Sequence, residues 1–259
     1  VSTARFEVYG LDRATLWREG GIHRVFDGRE VRIEAAPGGV DVTPHDQSIE
    51  LQVLRFLGLP FDLDGFYAWA AGEETLAPLV SALAGFRPPL QTNPFEALVT
   101  SITAQQVSLQ SAAAIRSRFI ERWGVAHEHA HAFPERERVA QATEDELFGV
   151  GFSTRKAEYV LGLARSDLDL DALAGLPDDE VTARLVAIRG LGEWTADWFL
   201  ARHLARPHAW PAGDLGLRKA VAAFYGDVPD LRAFAARFDP FENLTAHYLL
   251  TGLRVVPRA

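Results

Sequence analysis

Cysteine is missing altogether from these 259 residues. Disulfides, thiolate nucleophiles, zinc fingers and cysteine-ligated iron–sulfur clusters are therefore excluded. Methionine is missing too, even at position 1, where Val1 fits a processed or a trimmed start. No apolar run approaches the ~18–20 residues that span a bilayer, so no membrane segment is expected. Val1–Gly10 lacks the basic-then-apolar layout of a signal peptide, and a cytoplasmic location is expected. Positive charge is scarce: 26 Lys and Arg stand against 35 Asp and Glu, a net −9. Taken alone, that balance argues against a nucleic-acid partner. It does not forbid one, because only the contacting face must be positive.

What is present reads as a soluble globular chain, 48% hydrophobic and 24% charged. The N-terminal part is strand-like. Ile22 to Phe26 runs into Asp27-Gly28, a hairpin-turn signal. Val31, Ile33 and Ala35 alternate with Arg32 and Glu34, and Pro37-Gly38-Gly39 turns the chain into Val40 and Val42. Ala4, Phe6 and Val8 alternate as well and predict a further strand. Helices are predicted over about 11–18 and 48–57, the second stopped by Gly58 and Pro60. Beyond Phe61 the strand signals vanish. Asn93-Pro94-Phe95-Glu96 opens a helix with an N-cap, a first-position proline and a glutamate placed for a capping box. Thr143 and Glu146 repeat the capping pattern, and helical periodicity continues to Leu250. The expected fold is α+β: an N-terminal antiparallel-sheet domain over 1–86, then an all-helical body over 87–259 in two subdomains flanking a cleft.

The informative stretch joins two predicted helices through Gly190-Leu191-Gly192. Two glycines permit positive φ, a tight reversal and exposed amides. Those amides lie at the start of the next helix, where the dipole favours an anion such as a DNA phosphate. Leu191 would anchor the hairpin tip in the core. A Gly-x-Gly alone more often marks an ordinary connector. Asp214 closes a Gly/Pro-rich loop, Trp210-Pro211-Ala212-Gly213-Asp214. An aspartate at a helix start is usually just an N-cap. Trp194 and Trp198 are four apart and share one helix face, the spacing of ordinary core packing.

Together these features are specific. The hairpin followed by a Gly/Pro-rich loop ending in Asp214 resembles the signature of the helix-hairpin-helix DNA glycosylases. Within that superfamily the chain looks like the 3-methyladenine DNA glycosylase II group. Ile102-Thr103-Ala104-Gln105-Gln106-Val107-Ser108 resembles the family's helix-to-helix turn with paired glutamines. Gly151-Phe152-Ser153 through Lys156-Ala157 resembles its next helix start, and the strand-rich N-terminal part loosely resembles its extra domain. The likeness covers essentially the whole chain and is strongest from Asn93 to Lys219. The lack of cysteine sets the chain apart from the cluster-bearing branch.

The resemblance implies a monofunctional enzyme that starts base excision repair. Its partner would be double-stranded DNA containing alkylated bases such as 3-methyladenine, with no cofactor and no metal, and the enzyme would be a monomer. Asp214 would be the catalytic carboxylate, stabilising positive charge on the sugar and guiding water. Gly190, Leu191, Gly192, Thr195, Gln105 and Gln106 would meet DNA, with Gln106 filling the hole left by the flipped nucleotide. Trp194 and Trp198 would offer π-faces to a cationic base, with Tyr9 and Trp17 as candidates to close the pocket. Arg155, Lys156, Arg184, Arg189, Arg218 and Lys219 would neutralise phosphates. Bifunctional relatives carry a lysine two residues past the second hairpin glycine, where this chain has Trp194. A DNA-binding module without catalysis would need the hairpin but not Asp214 or the glutamine turn.

Some features depart from the family or carry no function. Pro240-Phe241-Glu242-Asn243 stands where an aromatic followed by Arg-Ser is common, and Leu250 where an aromatic pocket residue is sometimes found. His127, His129 and His131 read as a solvated loop without a matching carboxylate. Asp167, Asp169 and Asp171 lack the glycine and terminal glutamate of a calcium loop and read as a solvated connector.

Overall fold

The computed structural model describes residues 11–255, so the strand predicted around Ala4–Val8 lies outside the described residues. The N-terminal strands β1 (Thr15–Arg18), β2 (Gly21–Phe26), β3 (Arg29–Ala36) and β4 (Gly39–Thr43) form one antiparallel sheet in sequence order. The helix predicted over 11–18 is instead the edge strand β1. Asp12 accepts the amides of Ala14 and Thr15, which starts the chain in a turn rather than a helix. Glu19 (φ 51°) and Gly20 (φ 84°) then reverse it in two residues of positive φ. Asp27 (φ 45°) and Gly28 (φ 73°) make the next hairpin the same way. Turns with φ positive at both positions match the twist of the flanking strands. A glutamate in that role hid the first hairpin in the sequence.

Alternation puts Ile22, Phe26, Val31 and Ile33 on one face of the sheet, His23 and Glu30 on the other. The apolar face packs on helix α1 (Glu50–Phe56) in a small cluster of its own that runs from Ile22 to Leu57. Helices α2 (Leu63–Ala70) and α3 (Leu76–Ala82) belong by packing to the larger core of the helical body.

That body comprises α4 (Pro94–Ala104), α5 (Leu109–Trp123), a short hairpin β5 (Val125–Ala126) with β6 (His131–Ala132), and α6 (Arg136–Ala140). It continues through α7 (Glu144–Gly149), α8 (Thr154–Arg165), α9 (Asp178–Val186), α10 (Glu193–Arg202) and α11 (Leu215–Tyr225). It ends with α12 (Leu231–Ala235) and α13 (Glu242–Val255), the latter buried on all sides from Glu242 to Gly252. The Thr143–Glu146 capping box forms at α7. At α4 only half of the expected box forms. Asn93 accepts the Glu96 amide, but the Glu96 carboxylate turns into the sheet and pairs with Arg24 at 2.6 Å. No described helix is long and apolar enough to cross a membrane.

Several polar contacts cross the joint between sheet and body. Arg24–Glu96 and Arg116–Asp12 (2.8 Å) are both nearly buried ion pairs. Arg55 donates to the His203 carbonyl.

Candidate active site

The α9–α10 connection is the hairpin that the glycines predict. Leu191 is buried in the main core and its amide returns to Ile188 O at 3.1 Å. Gly190 has φ 94°, and a Cβ there would lie 2.1 Å from the Tyr159 ring of α8. Only glycine satisfies both the backbone angle and that approach. Gln105, the C-cap of α4, donates from Nε2 to Gly190 O at 3.1 Å. Gly192 is the exposed N-cap of α10 and supplies no side-chain cap, which leaves the amides of Glu193 and Trp194 ahead of the first intrahelical bonds. Tyr159 was not legible as a site residue; its signal lies only in the fold, which stacks α8 against the hairpin.

Asp214 is the N-cap of α11. Its Oδ1 accepts the Leu217 amide at 2.8 Å. Its Oδ2 accepts two indole N–H groups, Trp194 Nε1 at 3.1 Å and Trp198 Nε1 at 3.2 Å. The tryptophans, four apart on α10, thus clamp the carboxylate with their edges. Gly216 keeps the place open: a Cβ there would be 2.9 Å from Asp214 Oδ1 and 3.3 Å from Leu250. Leu250 is therefore a floor to the site rather than an aromatic wall.

Trp198 is only 5% exposed, and its ring is covered in a second way. The Arg202 guanidinium carbon sits 3.8 Å from its ring centroid, and His247 meets it edge-on at 5.8 Å. Burial holds the His247 imidazole well below its usual range, helped by Arg202 and Arg254, and leaves it neutral. Arg202, Arg254 and His247 line a cavity of about 170 Å³ with Arg24, Glu96 and Thr100, between the sheet and the helical body. Asp214 is not among the residues lining it.

Other expected contacts need correcting. Thr195 is 1% exposed and its amide is spent on Gly192 O, so its side chain cannot reach DNA. Trp17 packs against the sheet's own cluster, not the site. Tyr9 lies outside the described residues. Lys156 donates to Thr103 O at 2.8 Å, and burial lowers its ammonium below the usual lysine range, so it braces the end of α4 instead of meeting solvent phosphates. Arg184 pairs with Glu180 and Arg189 with Glu158. Arg155, Arg218 and Lys219 are exposed, near the starts of α8 and α11. Glu242, at the start of α13, is bound to His208. The His127–His131 stretch is not a solvated loop: it forms the β5–β6 hairpin, and His129 lies against Glu30.

The glutamine turn stands out from the surface. Gln106 is exposed with φ 55°, an uncommon angle for a residue with a side chain. Val107 and Leu109 beside it are 41% and 55% exposed. Their apolar exposure, passed over in the sequence, becomes visible only once the turn is seen to project.

Residues 99–232 match the HhH-GPD superfamily base excision DNA repair protein family, and the chain belongs to that superfamily. It is 30% identical over 193 residues, 70% of its length, to the DNA-3-methyladenine glycosylase of Bacillus subtilis (strain 168). The match spans 64% of that relative's length, just under two thirds. Among solved structures it resembles the 3-methyladenine DNA-glycosylase from Archaeoglobus fulgidus, with a TM-score of 0.85, 26% identity, and coverage of 97% of this chain and 93% of that one. It shares its fold with Clostridium acetobutylicum 8-oxoguanine glycosylase/lyase in complex with double-stranded DNA, at a TM-score of 0.84, 20% identity, and coverage of 96% and 90%.

Proposed function

We propose that this protein is a monofunctional DNA glycosylase. It flips alkylated purines such as 3-methyladenine out of double-stranded DNA and hydrolyses their N-glycosidic bond. The observation that carries this reading is the Asp214 carboxylate, fixed by a backbone amide and two indole N–H groups at the start of α11. Three neutral donors orient it without neutralising it. A carboxylate so held stabilises the positive charge that develops on the sugar as the bond to the base breaks. It then accepts a proton as water adds to C1′. An N-alkylated purine is already cationic and departs without a general acid, so a second carboxylate is not required.

The same geometry supports a DNA face. The open amides at Gly192 and the α10 start suit one backbone phosphate. Arg155, Arg218 and Lys219 add positive charge around it, against the net −9 of the whole chain. Gln106, with Val107 and Leu109 beside it, enters the stack left by the flipped nucleotide.

The test is Asp214→Asn in a single-turnover assay on duplex oligonucleotides carrying 3-methyladenine. The rate should fall at least about a hundredfold, the scale for removing one preorganised electrostatic group. Affinity for an abasic-site duplex should be unchanged or better. A variant keeping more than about a tenth of the wild-type rate would remove Asp214 from the chemistry.

A further inference from the structure

The joint between the sheet and the helical body contains a second cluster that the glycosylase reading does not use. His23 on β2 and Glu30 on β3 are diagonal neighbours on the sheet face opposite the apolar one. The β5–β6 hairpin of the body lies against that face and brings His129 at its tip into the same place. His23 Nδ1 is 3.0 Å from Glu30 Oε1, and His129 Nδ1 is 3.3 Å from the same oxygen. The His129 amide donates to Glu30 Oε2 at 3.0 Å, which fixes the carboxylate against the hairpin. The side chains are 8%, 12% and 23% exposed for His23, Glu30 and His129.

We propose that His23, Glu30 and His129 form a binding site for a divalent transition ion, zinc in the first instance. Two imidazoles and one carboxylate are borderline ligands of the kind zinc takes, and three protein ligands leave a fourth position for water. The spacing suits it. Ligands about 2.0–2.2 Å from a tetrahedral zinc lie about 3.3 Å from one another, and one ligand atom from each of the three residues falls within 4.8 Å of the others. Zinc would take the Nδ1 lone pair of each imidazole in its neutral, Nε2-protonated form, and the contact of each Nδ1 with Glu30 would give way to the metal. His129 is the most exposed of the three and marks the side from which water and metal enter. The residues come from both parts of the chain, so the ion would tie the sheet to the helical body across a joint that also holds ion pairs and hydrogen bonds. No step of the reaction at Asp214 depends on it.

The experiment titrates the chelator-stripped full chain with Zn²⁺ by calorimetry at neutral pH. Co²⁺ absorption reads the coordination geometry, and thermal melts are recorded with and without metal. The wild type should bind one Zn²⁺ per chain, melt higher with it, and give the intense visible bands of tetrahedral Co²⁺. His129→Ala and Glu30→Gln should bind at least about tenfold more weakly. His208→Ala, which dismantles the more exposed cluster His208, Asp239 and Glu242, should bind like the wild type. Melts in metal-free buffer, with His129→Gln as a second variant, separate ligand loss from misfolding. No Zn²⁺ binding by the wild type overturns the proposal. So does binding that survives His129→Ala and Glu30→Gln but is lost in His208→Ala.

Discussion

The Gln105 side chain donates to the Gly190 carbonyl at 3.1 Å, joining two loops 85 positions apart in the chain. One loop carries the projecting Gln106, the other the open amides of the hairpin. The Tyr159 ring occupies the place where a Cβ on Gly190 would stand. The two surfaces proposed to meet DNA are therefore one braced unit, and its two glycines are not equivalent.

Gly190→Ala should cost about 2–4 kcal/mol, from a Cβ inside the Tyr159 ring together with a strained positive φ. Gly192→Ala meets open space at φ −107° and should cost only the N-cap preference of glycine over alanine, about 0.5–1 kcal/mol. Denaturant midpoints check the contrast. Equal losses at both positions would mean that the Tyr159 contact does not constrain the hairpin.

Replacing Trp198 by Phe keeps an aromatic ring in the core but deletes an N–H donor to the Asp214 carboxylate. Hydrogen bonds to charged groups contribute about 1.5–3 kcal/mol. If most of that bond acts in the transition state, the single-turnover rate falls roughly tenfold or more. Trp194→Phe should act in the same direction, and the pair together more strongly than either alone. A lowered melting temperature with an unchanged rate would make both tryptophans plain core residues.

The product should be an intact abasic site. Attack by an amine on C1′ needs a neutral lysine in the site. Two residues past Gly192 stands Trp194, and Lys156 is engaged by the Thr103 carbonyl. Borohydride reduction during turnover should trap no covalent protein–DNA adduct, and strands should break only after added alkali. A trapped band lost on mutating a single lysine would assign lyase activity as well.

His203 gives a pH dependence to folding. Burial lowers its imidazole to about 4, against 6.5 for an ordinary histidine, while its Nδ1 lies 2.8 Å from Gln91 O. The native state resists protonation where the unfolded chain accepts it. Stability is therefore complete above pH 6.5 and is lost as pH falls towards 4. Between pH 7 and pH 5 the His203 share of the loss is about 2 kcal/mol. His203→Gln should flatten the slope of the denaturant midpoint over this range. An unchanged slope would place the acid sensitivity elsewhere, with the fully buried His247 next in line.

Much of this was legible because local signals and global fold agree. Asn93 with Pro94, Thr143 with Glu146 and Asp214 before Leu215 each mark a helix start through backbone needs that neighbouring residues alone decide. The glycine hairpin was legible for the same reason. What stayed hidden depends on distant chain. Thr15–Arg18 is a strand because β2 pairs with it. Glu96 leaves its capping role because Arg24 arrives from the sheet. Periodicity correctly put Trp194 and Trp198 on one face, but could not tell that their edges, not their π-faces, would meet Asp214.

The sheet and the helical body keep separate apolar clusters. The buried contacts that join them, Arg24 with Glu96 and Arg116 with Asp12, fix orientation more than they add stability. If cooperativity follows the apolar contacts, calorimetry should show two overlapping melting transitions rather than one. A single thermal midpoint would then describe neither transition, and a free energy fitted to it as all-or-none would be an average over both.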